Sequence, residues 1–193
     1  MITINPTEVK VQDGILLKLY QKLEEARNKE KQASFNLVRY LPSKSGFQVK
    51  VGGLYGFIAL EDMPWAYSKT SFWRFAAPHL TKRRFKGRIE EMSSKPLNIR
   101  VAIGKTNFTK PRLLKTTLYK GVVLHKTAQY MFIDLGMYSD WRTGSIIGIA
   151  YRHSYENDKT FNQLNVGDAC ITSYHGFTKK DMPILEIKCA MPE

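Results

Sequence analysis

Apolar side chains recur every three or four positions near the start of the chain. Five residues follow this spacing: Ile15, Leu16, Leu19, Leu23 and Ala26. Because the positions between them are mostly charged or amide side chains, the pattern places one narrow apolar stripe on a helix. It predicts a helix over 13–33, with Asp13 as its N-cap. The stripe is expected to dock on its own domain, and docking on a partner is the alternative.

From Phe35 onward the pattern changes to short alternating segments bounded by glycine, which is typical of strands. The first half contains five such segments, at 35–41, 46–51, 54–60, 84–91 and 97–103. The second half contains five more, at 118–124, 129–135, 144–150, 169–174 and 184–188. Five short strands are the number that closes a small barrel. The sequence therefore predicts a mainly β chain with two small five-stranded barrels in tandem after the helix.

These elements divide the chain into four parts. Residues 1–33 form an N-terminal segment and helix, and residues 34–104 form the first barrel. This barrel carries an insertion at 61–82, where strand periodicity is lost and a long loop or short helix is expected. Residues 105–115 form a basic connector, and residues 116–193 form the second barrel.

The net charge of +13 is concentrated in the middle third of the chain. Residues 66–126 carry fifteen Lys or Arg against Glu90 and Glu91, whereas residues 1–65 carry nine against seven and residues 127–193 carry six against eight. Seven aromatic residues lie among these cations: Tyr67, Phe72, Trp73, Phe75, Phe85, Phe108 and Tyr119. Cations neutralise phosphates and aromatic rings stack on bases, so this segment favours contact with nucleic acid. An acidic protein partner would satisfy the same charge.

Several classes of function are disfavoured by the sequence. No apolar run approaches the roughly 18 residues of a membrane span, and the first residues, MITINPTEVKVQDG, lack the profile of a secretory signal. The four histidines are scattered and the two cysteines have no metal-ligand spacing, so neither a metal nor a catalytic set can be nominated. We therefore expect a non-catalytic cytoplasmic protein without a cofactor, the alternative location being a virion.

The second half resembles a known family, the RNA-binding repeat of the largest small-subunit ribosomal protein, the S-one-type OB-fold. The resemblance rests on four segments: Lys120–Val123, Tyr130–Gly136, Gly144–Ala150 and the turn Val166-Gly167-Asp168. The first half looks like a diverged copy through two segments, Gly46–Val51 and Gly53–Ile58. Together these matches cover about 35–60, 84–103 and 117–188. The resemblance implies tandem OB-like barrels and RNA as the ligand.

The chain departs from the family at three positions of the RNA face. Gln129 stands where an aromatic residue is usual, Tyr130 replaces a glycine, and Gly148 stands near the usual histidine. Phe132 fits the family pattern, as do Phe47 and Phe57 in the first half. By strand alternation, Phe132 shares its side with Tyr130 and Asp134, whereas Met131, Ile133 and Leu135 form the apolar set, so Phe132 is predicted to be exposed.

These observations predict a protein that binds RNA or single-stranded nucleic acid through a basic surface bearing aromatic residues. The alternative is a structural component of a large assembly, such as a phage particle or a ribosome-associated factor, whose barrels contact other proteins. The candidate nucleic-acid-binding residues are Phe47, Phe57, Lys82, Arg83, Arg84, Lys86, Arg88, Lys110, Arg112, Lys115, Lys120, Tyr130 and Phe132.

Overall fold

A computed structural model describes residues 6–81, 83–103, 110–136, 145–154 and 158–191 of the chain. The chain forms two compact units, which interleave along the sequence. The first unit is built from 1–63 and 81–105, and the second from 64–80 and 106–193. None of the helices within the described residues has the length and apolar character to cross a membrane.

The N-terminal helix α1 extends over Pro6–Asn28. Asp13 lies inside this helix and is therefore not its N-cap, which corrects the predicted start. The helix also ends before residue 33, because Glu30 adopts a left-handed backbone with φ of 51°. The N–H groups of Glu30 and Lys31 then donate to the carbonyls of Arg27 and Ala26, the two hydrogen bonds that characterise a Schellman C-cap.

The apolar stripe of α1 is covered only in its second half. Leu23 is buried, and its side chain lies against Gly52 in the turn between two strands of the first barrel. Gly52 and Gly53 both have positive φ, at 55° and 93°, which only glycine adopts without strain. A Cβ on Gly52 would lie 2.7 Å from the Leu23 side chain, so the absence of a side chain at this turn allows the helix to pack against it.

The first barrel consists of five strands: β1 (Ala33–Leu41), β2 (Gly46–Val51), β3 (Leu54–Ala59), β4 (Arg84–Ser94) and β5 (Leu97–Ala102). They close in the order β1-β2-β3-β5-β4. All neighbours are antiparallel except β3 and β5, which run parallel. Alternate side chains fill the interior, among them Phe35, Phe47, Val49, Ile58 and Val101.

Residues 64–80, within the predicted insertion, pack in the second unit. Helix α2 (Ser71–Leu80) buries five apolar side chains: Phe72, Trp73, Ala76, Ala77 and Leu80. It packs against strand β6 (Leu118–Lys126), and His79 donates from Nε2 to the carbonyl of Gly167 at 2.8 Å. The insertion thus interrupts the first barrel in chain order but contributes its apolar face to the second unit.

The second barrel repeats the order of the first. After β6 come β7 (Tyr130–Asp134), β8 (Ile147–Tyr151), β9 (Ala169–Phe177) and β10 (Pro183–Ala190), with helix α3 (Asp158–Gln163) before β9. The strands close in the order β6-β7-β8-β10-β9, with β8 and β10 parallel. Position by position, this is the strand order of the first barrel, and both barrels fit an OB-like fold.

The turn Val166-Gly167-Asp168 joins α3 to β9 and closes against β6. Gly167 has φ of 100°, its N–H donates to the Val123 carbonyl, and the Val123 N–H donates to the Asp168 carbonyl. The Asp168 carboxylate accepts from the Asn165 N–H at 2.6 Å. A glycine is required here because the turn needs the left-handed region.

A buried carboxylate joins the insertion to the second barrel. Asp134, at the end of β7, is 0% exposed, although strand alternation placed it on the side predicted to be exposed with Phe132. Its carboxylate accepts hydrogen bonds from the Tyr67 hydroxyl, the Gly136 N–H and the Ser145 hydroxyl. Burial, together with the charge of Asp134, raises the pKa of Tyr67 well above its usual range, so the hydroxyl remains a donor. Rings of the insertion surround Tyr67, with Trp73 4.6 Å away between centroids.

The mainly β architecture with an N-terminal helix and two five-stranded sheets is confirmed. Each of the ten predicted strands corresponds to a strand of the structure, although the segment predicted at 144–150 begins at Ile147. Gly144 lies outside the described residues.

Substituting Tyr67 by Phe should destabilise the second unit. The change removes one donor to a buried carboxylate, and hydrogen bonds to charged groups contribute about 1.5–3 kcal/mol. We expect a loss of about 2 kcal/mol in the free energy of unfolding, measured by chemical denaturation. The matched control is Tyr55→Phe, since Tyr55 is 55% exposed in the first barrel. Equal stability of the two variants would contradict this assignment.

Candidate nucleic-acid interface

Three aromatic rings lie together on the outer side of the second barrel. Tyr130 and Phe132 are half-buried on β7, where they alternate with the buried Met131 and Ile133. His125 on β6 is the strand partner of Phe132. The ring centroids of Tyr130 and Phe132 are 5.1 Å apart, and the His125 ring lies 5.7 Å from Phe132 and 6.1 Å from Tyr130. The three rings therefore form one partly accessible cluster.

The cluster continues onto β8. Tyr151 is the strand partner of Tyr130, and the ring of His153 lies 5.4 Å from that of Tyr151. Tyr151 is half-buried and His153 is exposed. We call the five residues His125, Tyr130, Phe132, Tyr151 and His153 the aromatic face. It crosses three neighbouring strands, which gives several flat surfaces on which unpaired bases could stack.

Sequence reasoning found only part of the aromatic face. Strand alternation identified Tyr130 and Phe132. His125 and Tyr151 join them through cross-strand pairing, and His153, in the turn after β8, joins them through its ring contact with Tyr151. The pairing of His125 also depends on a bulge between Val123 and His125, which alternation alone does not reveal.

Gly148 explains one departure from the family pattern. A Cβ at this position would lie 2.5 Å from the Leu185 side chain and 3.0 Å from the Pro183 carbonyl oxygen. The close approach of β10 therefore leaves no room for a side chain on Gly148. The imidazoles of the aromatic face come instead from His125 and His153.

The two predicted aromatic residues of the first barrel have different locations. Phe47 is 0% exposed and packs against Tyr40, with ring centroids 5.1 Å apart. Its inclusion among the base-stacking candidates is therefore corrected, because its inward strand phase makes it a core residue. Phe57 is half-buried on the outer side of β3 and lies over Gly46. The neighbouring Tyr55, which the sequence analysis did not nominate, is the most exposed ring on this strand.

Basic side chains line the outer side of β4. Arg84, Lys86 and Arg88 are exposed, whereas Gly87 and Ile89 face the interior. No ion pair joins these three cations to any acid in the described part of the chain. Arg83 is half-buried, and Lys82 lies outside the described residues.

The predicted cations of the second unit are less uniform. Lys110 forms an ion pair with Asp181 at 3.0 Å, and its Nζ lies 4.6 Å from the Phe177 ring centroid. Arg112 and Lys115 are exposed beside it, and Lys120 is half-buried on β6. Lys110 and Arg112, together with Lys115, line a groove of about 440 Å³ that also includes Tyr174 and Phe177.

Two further cations are engaged in holding the fold. Lys126 donates from Nζ to the carbonyls of Phe161 and Leu164 at the end of α3. Arg100 in the first barrel pairs with Asp62 at 3.0 Å and with Glu61 at 3.3 Å. A phosphate would have to displace these partners, so the positive charge of the sequence overstates the charge that is available.

Within the described ranges, one polar cluster combines a histidine, a serine and a glutamate. His175 contacts both Ser173, at 3.0 Å, and Glu186, at 2.6 Å, through the same Nε2 atom. A serine triad requires contacts on opposite ring nitrogens. Hydrogen bonding from Lys188 lowers the pKa of Glu186, and burial raises the pKa of Cys170 to about 12. Among the described residues, no group of three His, Cys, Asp or Glu could hold a metal ion.

No protein-family model matches the chain, and no curated protein matches it. One solved structure that does match is a multidomain protein with nucleic acid binding domains from Streptococcus pneumoniae. The sequence identity is 12% and the TM-score is 0.36, over 82% of this chain and 51% of that one. The chain thus spans about half the length of that protein.

Phe132→Ala tests the aromatic face. The ring is partly accessible, and the stacking of a base on it is the hypothesis under test, so its removal should cost about 1–3 kcal/mol of binding free energy for single-stranded RNA. The melting temperature of the protein should change little. Binding is measured by fluorescence anisotropy and stability by thermal denaturation.

The neighbouring residue Met131 is the matched control for that variant, because it points into the core. Met131→Ala should cost about 2–5 kcal/mol of stability. A large loss of stability in Phe132→Ala, or unchanged RNA binding, would contradict the assignment of Phe132.

Proposed function

We propose that this chain is a non-catalytic binding protein for single-stranded nucleic acid, with RNA as its partner, and that unpaired bases stack on the aromatic face. The observation that carries the proposal is the cluster of His125, Tyr130 and Phe132, whose ring centroids lie within 6.1 Å of one another on two adjacent strands. Half-buried rings that adjoin one another on the outside of a barrel leave apolar surface exposed to water, which is unfavourable. Stacked bases would cover that surface.

Two further observations support the same function. Residues 66–126 carry most of the net charge, and Arg84, Lys86, Arg88, Arg112 and Lys115 are exposed within that segment. Exposed cations attract the phosphates of any nucleic acid, whereas stacking requires bases that are not paired. The combination favours single strands over duplexes.

The preference for RNA rests on the family resemblance. Tyr130–Gly136 and the turn Val166-Gly167-Asp168 carry that resemblance, and the turn forms the hydrogen bonds with Val123 that its glycine permits. A cytoplasmic location accords with this function.

A role as a structural component of a large assembly, such as a phage particle or a ribosome-associated factor, is the second candidate. The observation that favours it is on α1, where Ile15 and Leu17 are 55% and 57% exposed and Leu16 is 47% exposed. Substituting these three residues by Ser should abolish incorporation into such a particle and leave RNA binding unchanged. If the variant is still incorporated into the particle, the assembly role of α1 is contradicted and the nucleic-acid function alone is favoured.

Single-stranded RNA should bind at least about 10-fold more tightly than duplex RNA of the same length, because a duplex offers no unpaired base to the aromatic face. The affinity for both should fall as salt rises, since cations that contact phosphates release counterions. Fluorescence anisotropy titrations at several salt concentrations measure both effects. Equal affinity for single strands and duplexes would refute the proposed use of the aromatic face, and failure to bind either would refute the function.

A further inference from the structure

Polar and basic side chains form a row across the outer side of the first barrel. Asn36 on β1 is the strand partner of Lys50 on one side and of Arg84 on the other. Lys50 is in turn the partner of Tyr55 on β3. The row from Tyr55 to Arg84 therefore crosses four strands, and neighbouring strands lie about 4.8 Å apart. Ser34 on β1 and Lys86 on β4 form a second strand pair, two residues from Asn36 and Arg84.

This row borders a groove of about 590 Å³. Its lining includes Ser34, Asn36, Lys50, Thr81 and Arg84. Gly52 and Gly53 of the turn between β2 and β3 also belong to the lining. The groove therefore offers two cations, hydroxyl and amide groups, and accessible backbone, which are the groups that bind phosphate oxygens.

The cations of the groove are not neutralised by the protein itself. Among the described residues, Lys50, Arg84 and Lys86 make no ion pair, in contrast to Arg100 on the same barrel. The Nζ of Lys50 lies 6.0 Å from the centroid of the Tyr55 ring. A cluster of unpaired like charges is unfavourable on its own and is relieved by a bound polyanion.

The groove lacks a surface for bases. Among the described residues, Phe35 is the only aromatic residue in its lining, and it is 1% exposed and belongs to the core. The exposed ring of Tyr55, at one end of the row, lies outside the lining. The aromatic face of the second barrel has the opposite composition, with five rings and no ionised lysine or arginine among its members. The two surfaces therefore differ in which part of a nucleic acid they can recognise.

We infer that this groove is a second nucleic-acid site, which binds the phosphodiester backbone through Lys50 and Arg84 of its lining and through Lys86, the strand partner of the lining residue Ser34, and does not read bases. The inference rests on the proposed function, because it assigns the same partner to a different surface. Its ligand class is a nucleic-acid strand irrespective of sequence, recognised by its row of phosphates.

The test uses two labelled single strands with equal numbers of phosphates, each about 12 nucleotides long. One is oligouridylate and the other is an abasic oligomer, which has the backbone but no bases. The groove variant combines Lys50→Gln, Arg84→Gln and Lys86→Gln in the full chain. Its matched control combines Lys18→Gln, Lys22→Gln and Arg27→Gln, which remove the same charge from exposed positions of α1. Circular dichroism checks that both variants are folded.

The groove variant should weaken binding of both oligomers by the same factor. Its slope of log affinity against log salt should be smaller by about 2, as expected for three lost contacts to a single strand. The α1 control should change neither quantity beyond a small uniform effect. The single variants Arg84→Gln and Lys86→Gln should each reduce the slope by about 0.7.

The outcomes separate this inference from the function proposed above. If the groove variant behaves like the α1 control while Phe132→Ala weakens oligouridylate binding, the groove inference is overturned and the proposed function stands. If the groove variant loses affinity for both oligomers while Phe132→Ala binds normally, the groove is supported and base stacking on the aromatic face is overturned. A loss confined to oligouridylate in the groove variant, or no binding of either oligomer by the unmodified protein, would overturn the groove inference.

Discussion

Closure of each five-stranded sheet is the constraint on which the rest of the molecule depends. A closed barrel has a small interior, so every strand must send alternate side chains inward and leave the others outside. Met131 and Ile133 thereby enter the core, and the same alternation places Tyr130 and Phe132 outside. On β4, the buried Gly87 and Ile89 have the same effect on Lys86 and Arg88, which alternate with them. The candidate binding surfaces are thus a direct consequence of how the barrels are filled.

Most of the fold could be predicted because alternation and glycine spacing are local signals. The strands of both barrels, and the phase of Phe132 relative to Met131, follow from neighbours within a few residues. The end of α1 could not be predicted in this way, since Glu30 adopts a backbone that is uncommon for its residue type. Phe47 was included on its aromatic character and a family resemblance, although its strand phase directs it into the core.

The candidate site was harder to predict because it is assembled by register between strands. His125 and Tyr151 lie 26 residues apart in the numbering of the chain, and both reach the same face only through their pairing with β7. The groove of the first barrel has the same origin, since Lys50 and Arg84 meet across Asn36. The charge of Lys126, by contrast, is evident from the sequence, but the hydrogen bond from its Nζ to the Leu164 carbonyl after α3 is not.

The path of the chain through residues 64–80 has a consequence for how this architecture could be inherited or engineered. These residues lie between β3 and β4 of the first barrel in sequence, yet they supply the second unit with Tyr67, whose hydroxyl serves the buried Asp134. A single cut near residue 105 would therefore separate the second barrel from part of its own interior. A recombination event that moved residues 106–193 alone would leave Asp134 without the Tyr67 donor and the second unit without the buried side chains of α2. Transfer of an intact second barrel therefore requires residues 64–80 as well.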